Sequence, residues 1–376
     1  MEKNNKIVIT GSKGFVGKNL LATLIGQGYS NVVEIDRNSD DSALERAIDG
    51  AKWIFHLAGV NRPQVVEEFQ EGNFGFTNKL LGLLKQKNTH ASIVVSSTIQ
   101  VLQDNPYGKS KLAAEALLLI HQKETKQPIY IYRLVNVFGK WAKPNHNSVV
   151  ATFCHRIARQ EAITIHDPTS PIRMVYIDDV VREFIDCMSS RPSSKGPYYE
   201  VKPEYNITVG LLAQTIQSFA SNRTQLFLES QADPLTKKLY ATYLSYLQEN
   251  QFSYDLTMHK DHRGSYTELL KSLTDGQISV NVSKPGITKG NHYHHTKNEK
   301  FIVVSGLASI KFRKVGSFEV IEYLTKGEKL QVVDIPPGYT HNITNIGEQD
   351  LVTIMWASEF FDPNNPDTYP MEVEVK

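Results

Sequence analysis

The chain has 376 residues, more than most single hydrophobic cores organise, so about two domains are expected. Hydrophobic residues make up 40% and charged residues 22%, the balance of an ordinary soluble globular protein. Lys and Arg (41) nearly equal Asp and Glu (40), which argues against a nucleic-acid partner or an anionic membrane surface.

The two cysteines, Cys154 and Cys187, lack metal-type spacing and read as reduced thiols in a cytoplasmic protein. The opening MEKNNKIVITGSKG has no apolar signal core, and no stretch approaches the ~20 apolar residues that a membrane span needs. A soluble, cytoplasmic protein is expected.

Ile7-Val8-Ile9 reads as a short buried strand, Gly11 to Gly17 as a glycine-rich turn, and Asn19 to Leu24 as a helix. Val32 to Asp36 reads as a second strand, and Trp53 to Leu57 and Ser92 to Ser96 continue the series with helical stretches between them. Strands alternating with helices predict a parallel sheet covered on both faces, a rhythm that runs to about Ala220. From Pro234 to Asn250, Leu235, Leu239 and Tyr243 recur at helical spacing and predict a connecting helix, with a boundary near residue 250. Beyond it, short β-rich runs (Gln277–Val282, Lys300–Val304, Leu307–Phe312, Leu330–Ile335, Leu351–Trp356) alternate with Gly, Pro and Asn turns. That texture predicts a small antiparallel barrel or jelly roll. The expected fold class is an α/β Rossmann-like domain over 1–249, followed by an all-β jelly-roll domain over 250–376.

The run from Thr10 to Gly17 (TGSKGFVG) follows a strand and opens a helix. Gly11 permits the tight turn, Gly14 the approach of backbone to a pyrophosphate, and Gly17 the close packing of helix on strand. The helix start presents free N–H groups and a positive dipole end to phosphates. Three glycines alone mark an ordinary strand-to-helix turn. Strand, helix and an acid about twenty residues on, Asp36, together point to a dinucleotide. Arg37 and Lys13 place two cations around the adenosine ribose, favouring a 2′-phosphate and so NADP over NAD. The plainer alternative for Arg37 is a solvated charge.

Pro106 begins a further helix, on which Tyr107 and Lys111 are i and i+4 and share a face. An ammonium beside a phenol favours phenolate and makes the hydroxyl a better proton donor. Such a pair is common on surfaces, but this one follows a strand that ends in Ser96-Ser97-Thr98, downstream of the glycine turn.

TGSKGFVG, HLAG (56–59), VVSST (94–98), YGKSK (107–111) and RLVNVFG (133–139) together resemble the extended short-chain dehydrogenase/reductases that modify nucleotide sugars. The resemblance implies Tyr107 as acid, and Lys111 as its pKa partner and a ligand of the nicotinamide ribose. It implies Thr98 as hydroxyl donor to a ketone, with Ser97 as the alternative, and Asn136 as a contact to the sugar nucleotide's diphosphate. The implied cofactor positions are Gly11, Lys13, Gly14, Phe15, Val16, Gly17, Asp36, Arg37, Leu57, Ala58, Gly59 and Lys111. Two features depart from the pattern. The connection from Thr98 to Tyr107 is too short for a lid-like loop, and Arg173 sits one position off the usual phosphate-binding arginine.

In the second half, His292-x-His294 and Glu299 lie between Gly286 and Gly306, and Pro336-x-Gly338 precedes His341 and Asn345. On a strand His292 and His294 point to one face. Glu299 and His341 complete a three-histidine, one-carboxylate set for a divalent metal, zinc above all, with His295 able to replace a neighbour. Scattered histidines are usually structural, but four potential ligands inside these glycine and proline patterns favour a metal. Asp261–Glu268 (DHRGSYTE), Lys289–Tyr293 (KGNHY) and Ile335–His341 (IPPGYTH) also resemble the cupin-class sugar-nucleotide 3,5-epimerases. In those relatives the residue aligned with His292 is a base and no metal is needed. A ligand role is preferred here because His294, Glu299 and His341 otherwise lack a shared purpose. The Asp261–Glu268 segment and His295 are then the candidate bases.

The two halves together resemble the bifunctional reductase–cupin enzymes of capsular and O-antigen polysaccharide synthesis. That resemblance implies C3 epimerisation of a UDP-2-acetamido-2,6-dideoxy-4-hexulose, then NADPH-dependent reduction at C4. The product would be UDP-2-acetamido-2,6-dideoxy-L-talose, on the way to N-acetyl-L-fucosamine. Its partners would be the UDP-linked 4-keto-6-deoxy-HexNAc and a second copy in a homodimer, with no nucleic acid and no membrane. The competing readings are a cupin acting as a metal-dependent dioxygenase, a cupin that only binds sugar or dimerises, and a non-enzymatic nucleotide sensor.

Overall fold

Ile7–Thr10 is buried at every position, as a strand covered on both faces of its sheet must be. The computed structural model describes residues 2–189, 196–362, 364 and 366–375. Its contacts form two units, residues 1–216 with 238–248 and residues 217–237 with 249–376.

The first unit begins β1 (Ile7–Thr10), α1 (Phe15–Gly26), β2 (Val32–Ile35), α2 (Asp41–Ile48), β3 (Trp53–His56), α3 (Glu67–Phe69) and α4 (Phe76–Gln86). It continues β4 (Ser92–Thr98), α5 (Pro106–Thr125), β5 (Ile129–Leu134), β6 (Asn136–Phe138), α6 (Val149–Ala158), β7 (Pro171–Tyr176) and α7 (Ile177–Cys187). Next come β8 (Tyr198–Tyr199), β9 (Glu204–Thr208), α8 (Val209–Gln225) and α9 (Pro234–Leu244), the last two crossing the unit boundaries. Six parallel strands run in the order β2-β1-β3-β4-β5-β8, and β6, β7 and β9 form a small mixed sheet. Alternation sends Ile7 and Ile9 into one core with Leu20, Phe55 and Phe184, and Val8 into a second with Ile54, Leu80 and Leu118. The strand order reverses between β1 and β3, and in open α/β sheets the crevice at that point takes the ligand.

The second unit carries β10 (Met258–Asp261), β11 (Gly264–Ser272), β12 (Gly276–Ser283), β13 (Thr288–Tyr293), β14 (Glu299–Ser305) and β15 (Leu307–Lys314). β16 (Val320–Lys326), β17 (Val332–Ile335), β18 (Tyr339–Asn345), β19 (Leu351–Ala357) and β20 (Tyr369–Pro370) complete it. Two antiparallel sheets, β10-β11-β12-β19-β14-β17 and β16-β15-β18-β13-β20, share a core in which Phe301 and Val303 meet Ile310, Phe312 and Ile343. The architecture is thus a Rossmann-like α/β domain followed by an all-β domain of the cupin, jelly-roll type. Among the described residues no helix is long and apolar enough to cross a membrane.

Several boundaries differ from those expected. The helix expected over Pro234–Asn250 ends at Leu244, where Ser245 and Tyr246 enter turn hydrogen bonds and the Tyr246 hydroxyl donates to the Ala142 carbonyl at 2.6 Å. β2 stops at Ile35, because the Asp36 carboxylate turns to accept the Asn38 N–H at 2.7 Å. Leu330 lies exposed ahead of β17. β13 is hidden in the sequence by Gly290 and Asn291, which sit at φ +102° and +59° in a bulge. β16 is hidden by its lack of alternation, since it is exposed at every position but Thr325.

Candidate functional site

The first cluster gathers at the carboxyl ends of β1, β3 and β4. Gly11 has φ +73°, and a Cβ there would stand 2.7 Å from the Ala58 nitrogen. A Cβ on Gly17 would stand 2.2 Å from the Gly11 carbonyl oxygen, so α1 meets the turn only with glycine there. Gly14 caps α1 without a side chain, and no acid lies in the first turn beside Phe15 and Val16. The helix start is therefore open to an anion. The Ser12 hydroxyl beside it is buried without a partner.

Leu57, Ala58 and Gly59 leave β3 against this turn. Leu57 N–H donates to the Thr10 carbonyl at 3.1 Å and Ala58 N–H to the Thr10 hydroxyl at 3.3 Å. His56 is fixed between the Thr10 and Thr77 hydroxyls, each at 2.9 Å, and burial drives its pKa down to about 3, so it is a neutral structural residue. Asn73, which belongs to none of the motifs, holds Val60 through both its amide atoms (2.9 and 3.0 Å) and donates to the Ser110 hydroxyl at 2.9 Å. It thereby ties the loop after β3 to α5, from a π-helical segment, Gln70–Gly75.

Asp36 pairs with Lys13, whose ammonium, followed by the Asn38 N–H, holds the Asp36 carboxyl below its usual range. One of the two cations expected at the ribose is thus already engaged by the acid, and Arg37 beside them is exposed.

Asn105 caps α5 by accepting the Gly108 N–H at 2.7 Å, with Pro106 at the first turn, which sets Tyr107 and Lys111 on one face. Lys111 is buried, donates to the Ser96 carbonyl at 2.8 Å, and has its pKa pulled down to about 8 by burial, against an opposing pull from Glu115. Burial raises the Tyr107 phenol rather than Lys111 lowering it, because the ammonium is directed to the Ser96 carbonyl. A Cβ on Gly59 would lie 3.7 Å from the Lys111 Nζ, which puts that amine at the edge of the nucleotide crevice.

Ser97 and Thr98 diverge. The Ser97 hydroxyl donates to Glu115 at 2.5 Å beneath α5, while the Thr98 hydroxyl oxygen, on the other face, accepts the Gln100 N–H at 3.2 Å. Asn136 is exposed and donates its amide to the Arg173 carbonyl at 3.0 Å. The Arg173 guanidinium is held by both oxygens of Glu204.

The second cluster lies in the all-β unit. One donor atom from each of His292, His294, Glu299 and His341 falls within 4.8 Å of the others. His292 comes from β13, Glu299 from β14 and His341 from β18, while His294 reaches the set from the turn just past β13. The Nε2 atoms of His294 and His341 each stand 3.4 Å from Glu299 Oε2, and all three atoms are buried without a hydrogen-bond partner. Buried polar atoms left unpaired are costly, and three nitrogens with one carboxylate oxygen form a zinc-type donor set, so these residues fit a divalent metal. Burial together with His341 and His294 pulls the His292 pKa down to about 4. Burial alone would raise Glu299, but His294 and His341 outweigh it and keep the carboxyl ionised.

A cavity of about 890 Å³ opens onto this set, lined also by Asp261, Arg263, Tyr266, Glu268 and two lysines, Lys289 of the KGNHY run and Lys297, which lies outside the sequence motifs. Asp261 is paired with Arg263 at 2.7 Å and Glu268 with Lys271 at 3.0 Å. His295, expected as a substitute ligand or base, is exposed with its ring against Tyr293 and Tyr369, and it joins neither the ligand set nor the cavity wall.

Residues 7–207 match the NAD dependent epimerase/dehydratase family, and residues 259–369 match the polysaccharide biosynthesis C-terminal domain. The chain is 45% identical to the UDP-2-acetamido-2,6-beta-L-arabino-hexul-4-ose reductase of Pseudomonas aeruginosa, over 98% of this chain and 99% of that one. It is 48% identical to the capsular polysaccharide assembling protein CapF from Staphylococcus aureus, with a TM-score of 0.92 over 98% of this chain and 100% of that one. A UDP-N-acetylglucosamine 4-epimerase from Methanobrevibacter ruminantium, at 20% identity and a TM-score of 0.55 over 65% of this chain and 99% of that one, shares the fold of the first unit.

Proposed function

The chain belongs to the NAD dependent epimerase/dehydratase family, and from that premise we propose that it epimerises and then reduces one UDP-linked 4-keto sugar. The sugar is a UDP-2-acetamido-2,6-dideoxy-4-hexulose, epimerised at C3 in the all-β domain (250–376) and reduced at C4 in the Rossmann-like domain (1–249). The product is UDP-2-acetamido-2,6-dideoxy-L-talose, a precursor for capsular polysaccharide, made by a cytoplasmic homodimer. The observation that carries this reading is the coexistence, in a chain collinear with a named 4-ketose reductase, of the Tyr107/Lys111 helix and the His292/His294/Glu299/His341 cavity.

In the first domain the nicotinamide cofactor, NADPH, supplies the hydride when bound. Gly11, Gly14 and the start of α1, with Phe15, Val16 and Gly17, hold its pyrophosphate. Asp36, Lys13 and Arg37 hold its adenosine ribose, and Leu57, Ala58 and Gly59 line the crevice. Lys111 binds the nicotinamide ribose. Tyr107 donates its phenolic proton to the C4 oxygen, and Thr98 hydrogen-bonds the same oxygen, with Ser97 supporting the strand from behind. Asn136 orients the diphosphate.

In the second domain His292, His294, Glu299 and His341 would hold one divalent ion, zinc above all, which when bound supplies Lewis-acid stabilisation of negative charge on a sugar oxygen. The C4 ketone acidifies the C3 hydrogen. Asp261 and Glu268, the carboxylates of the cavity wall outside the ligand set, are the candidate bases for its removal, each freed by giving up its Arg263 or Lys271 partner. Reduction destroys the ketone that makes C3 acidic, so epimerisation comes first and reduction traps its product.

The test is to incubate the protein with UDP-4-keto-6-deoxy-HexNAc and NADPH in heavy water. NADPH oxidation with deuterium at C3 of the product is expected. Reduction with only protium at C3 would restrict the protein to ketoreduction, and oxygen uptake would replace this reading with an oxygenase.

A further inference from the structure

After β19 the chain returns across the histidine cluster. Tyr369 and Pro370 pair with Tyr293 and His292, and Met371 N–H donates to the Asn291 carbonyl at 2.9 Å. Arg313 secures the chain beyond Met371, donating to the carbonyls of Val373 at 2.8 Å and Glu372 at 2.6 Å, and Val373 is fully buried. This segment is therefore an integral part of the barrel.

Asp367 stands just ahead of that crossing. Its Oδ1 accepts the His295 N–H at 2.9 Å, and its Oδ2 accepts the N–H groups of Thr296 at 2.7 Å and Lys297 at 2.8 Å, with the Thr296 hydroxyl at 3.0 Å. Three successive backbone donors on one carboxylate form a closed anion nest. Without it, the turn beyond His294 would hold unpaired N–H groups. The Asp367 backbone carbonyl meanwhile contacts His294 Nδ1. A carbonyl only accepts, so Nδ1 carries a proton, and in the neutral ring the lone pair is then left on Nε2, the atom 3.4 Å from Glu299 Oε2. Thr368 adds a bond from the Lys297 ammonium at 3.0 Å, tying the same turn to the cavity wall.

We propose that Asp367 is the positioning residue of the metal cluster: its carboxylate clamps residues 295–297 and so holds its own carbonyl against His294, which locks the tautomer that offers Nε2 inward. The inference rests on the metal reading only for what that nitrogen binds. Outer partners of this kind typically change metal affinity by about 10–100-fold.

The experiment uses full-length protein, wild type beside Asp367→Ala and Asp367→Asn. Co²⁺ affinity is read by competition with a coloured chelator, coordination by the visible cobalt bands, and the His294 tautomer by ¹⁵N shifts in chelator-treated protein. The alanine variant should bind Co²⁺ about 10–100-fold more weakly and should mix both His294 tautomers. The asparagine variant, which keeps one acceptor oxygen, should recover part of both properties, and it decides the matter if the alanine variant does not fold. Wild-type affinity together with a single Nδ1–H tautomer in the variants would overturn the clamp. Wild-type protein that takes up no Co²⁺ would overturn the metal reading, and the tautomer comparison would still judge the clamp.

Discussion

The Ser97 hydroxyl donates to the buried carboxylate of Glu115 at 2.5 Å, and the same carboxylate receives Arg133 at 2.7 and 3.2 Å. Ser97 is thus engaged beneath α5, while Thr98 faces the other side of the strand. Thr98→Val should lower kcat for ketone reduction by about 10²–10³-fold, the usual cost of losing one oxyanion donor. Ser97→Ala should leave kcat within a few-fold and reduce stability by about 1 kcal/mol. Steady-state kinetics and denaturant melts of the two variants check this, and the reverse pattern would exchange their roles.

The alkaline limb of reduction should report Lys111. Its pKa is drawn down to about 8 by burial, so the ammonium proposed to bind the ribose is lost as pH rises through about 8. The kcat/KM for reduction, which reports groups of the unliganded enzyme, should fall there. Glu115 opposes the burial effect, so Glu115→Gln should move the limb to lower pH. For stability the sign is the reverse. Between about 8 and the ordinary 10.5 the unfolded chain holds this proton more tightly than the folded one, so this site favours folding increasingly as pH climbs through that window.

Zinc should stabilise the protein measurably, because it would satisfy three buried atoms that have no hydrogen-bond partner among the described residues, on His294, His341 and Glu299. At a free concentration of ~100 times Kd the gain is about 2.7 kcal/mol, read as a rise in Tm of chelator-treated protein after zinc is added back. His341→Ala should abolish the rise. A Tm indifferent to zinc in the wild type would reject the ligand set.

Cofactor choice should turn on Arg37. Lys13 is exposed but already paired with Asp36, and Arg37 is the exposed cation next to them for a 2′-phosphate. Arg37→Ala should raise KM for NADPH several-fold and leave that for NADH nearly unchanged. Equal kcat/KM of the wild type with both nucleotides would remove the preference.

Much of the architecture is legible in the sequence because its signals are local. The glycine turn, the buried strands around it and the Pro106 helix start are written in neighbouring residues, and the proposed metal set is marked by four potential ligands framed by turns. Asn73 and Asp367 are not legible, because each acts over a distance in chain that no spacing encodes. Asn73 joins Val60 to Ser110, and Asp367 closes a turn whose first donor, His295, lies 72 residues before it. Strand spacing puts His294 on one face with His292, yet β13 ends at Tyr293 and the turn beyond delivers it. The phenol shift expected of Tyr107 fails for a similar reason, since helix spacing places Lys111 on its face but not the Ser96 carbonyl that receives the ammonium.

The central claim is that one ketone serves two separate chemistries, and exchange in heavy water by Tyr107→Phe tests it most directly. The substitution keeps the ring against Phe69 and removes only the proton donor. Reduction should slow by about 10²–10⁴-fold, while deuterium still enters C3 of the unreduced 4-keto sugar. His341→Ala, run beside it, should show the opposite defect, with no deuterium at C3 and some NADPH still oxidised. Loss of both reactions in Tyr107→Phe, or undiminished exchange in His341→Ala, would contradict the two-site account.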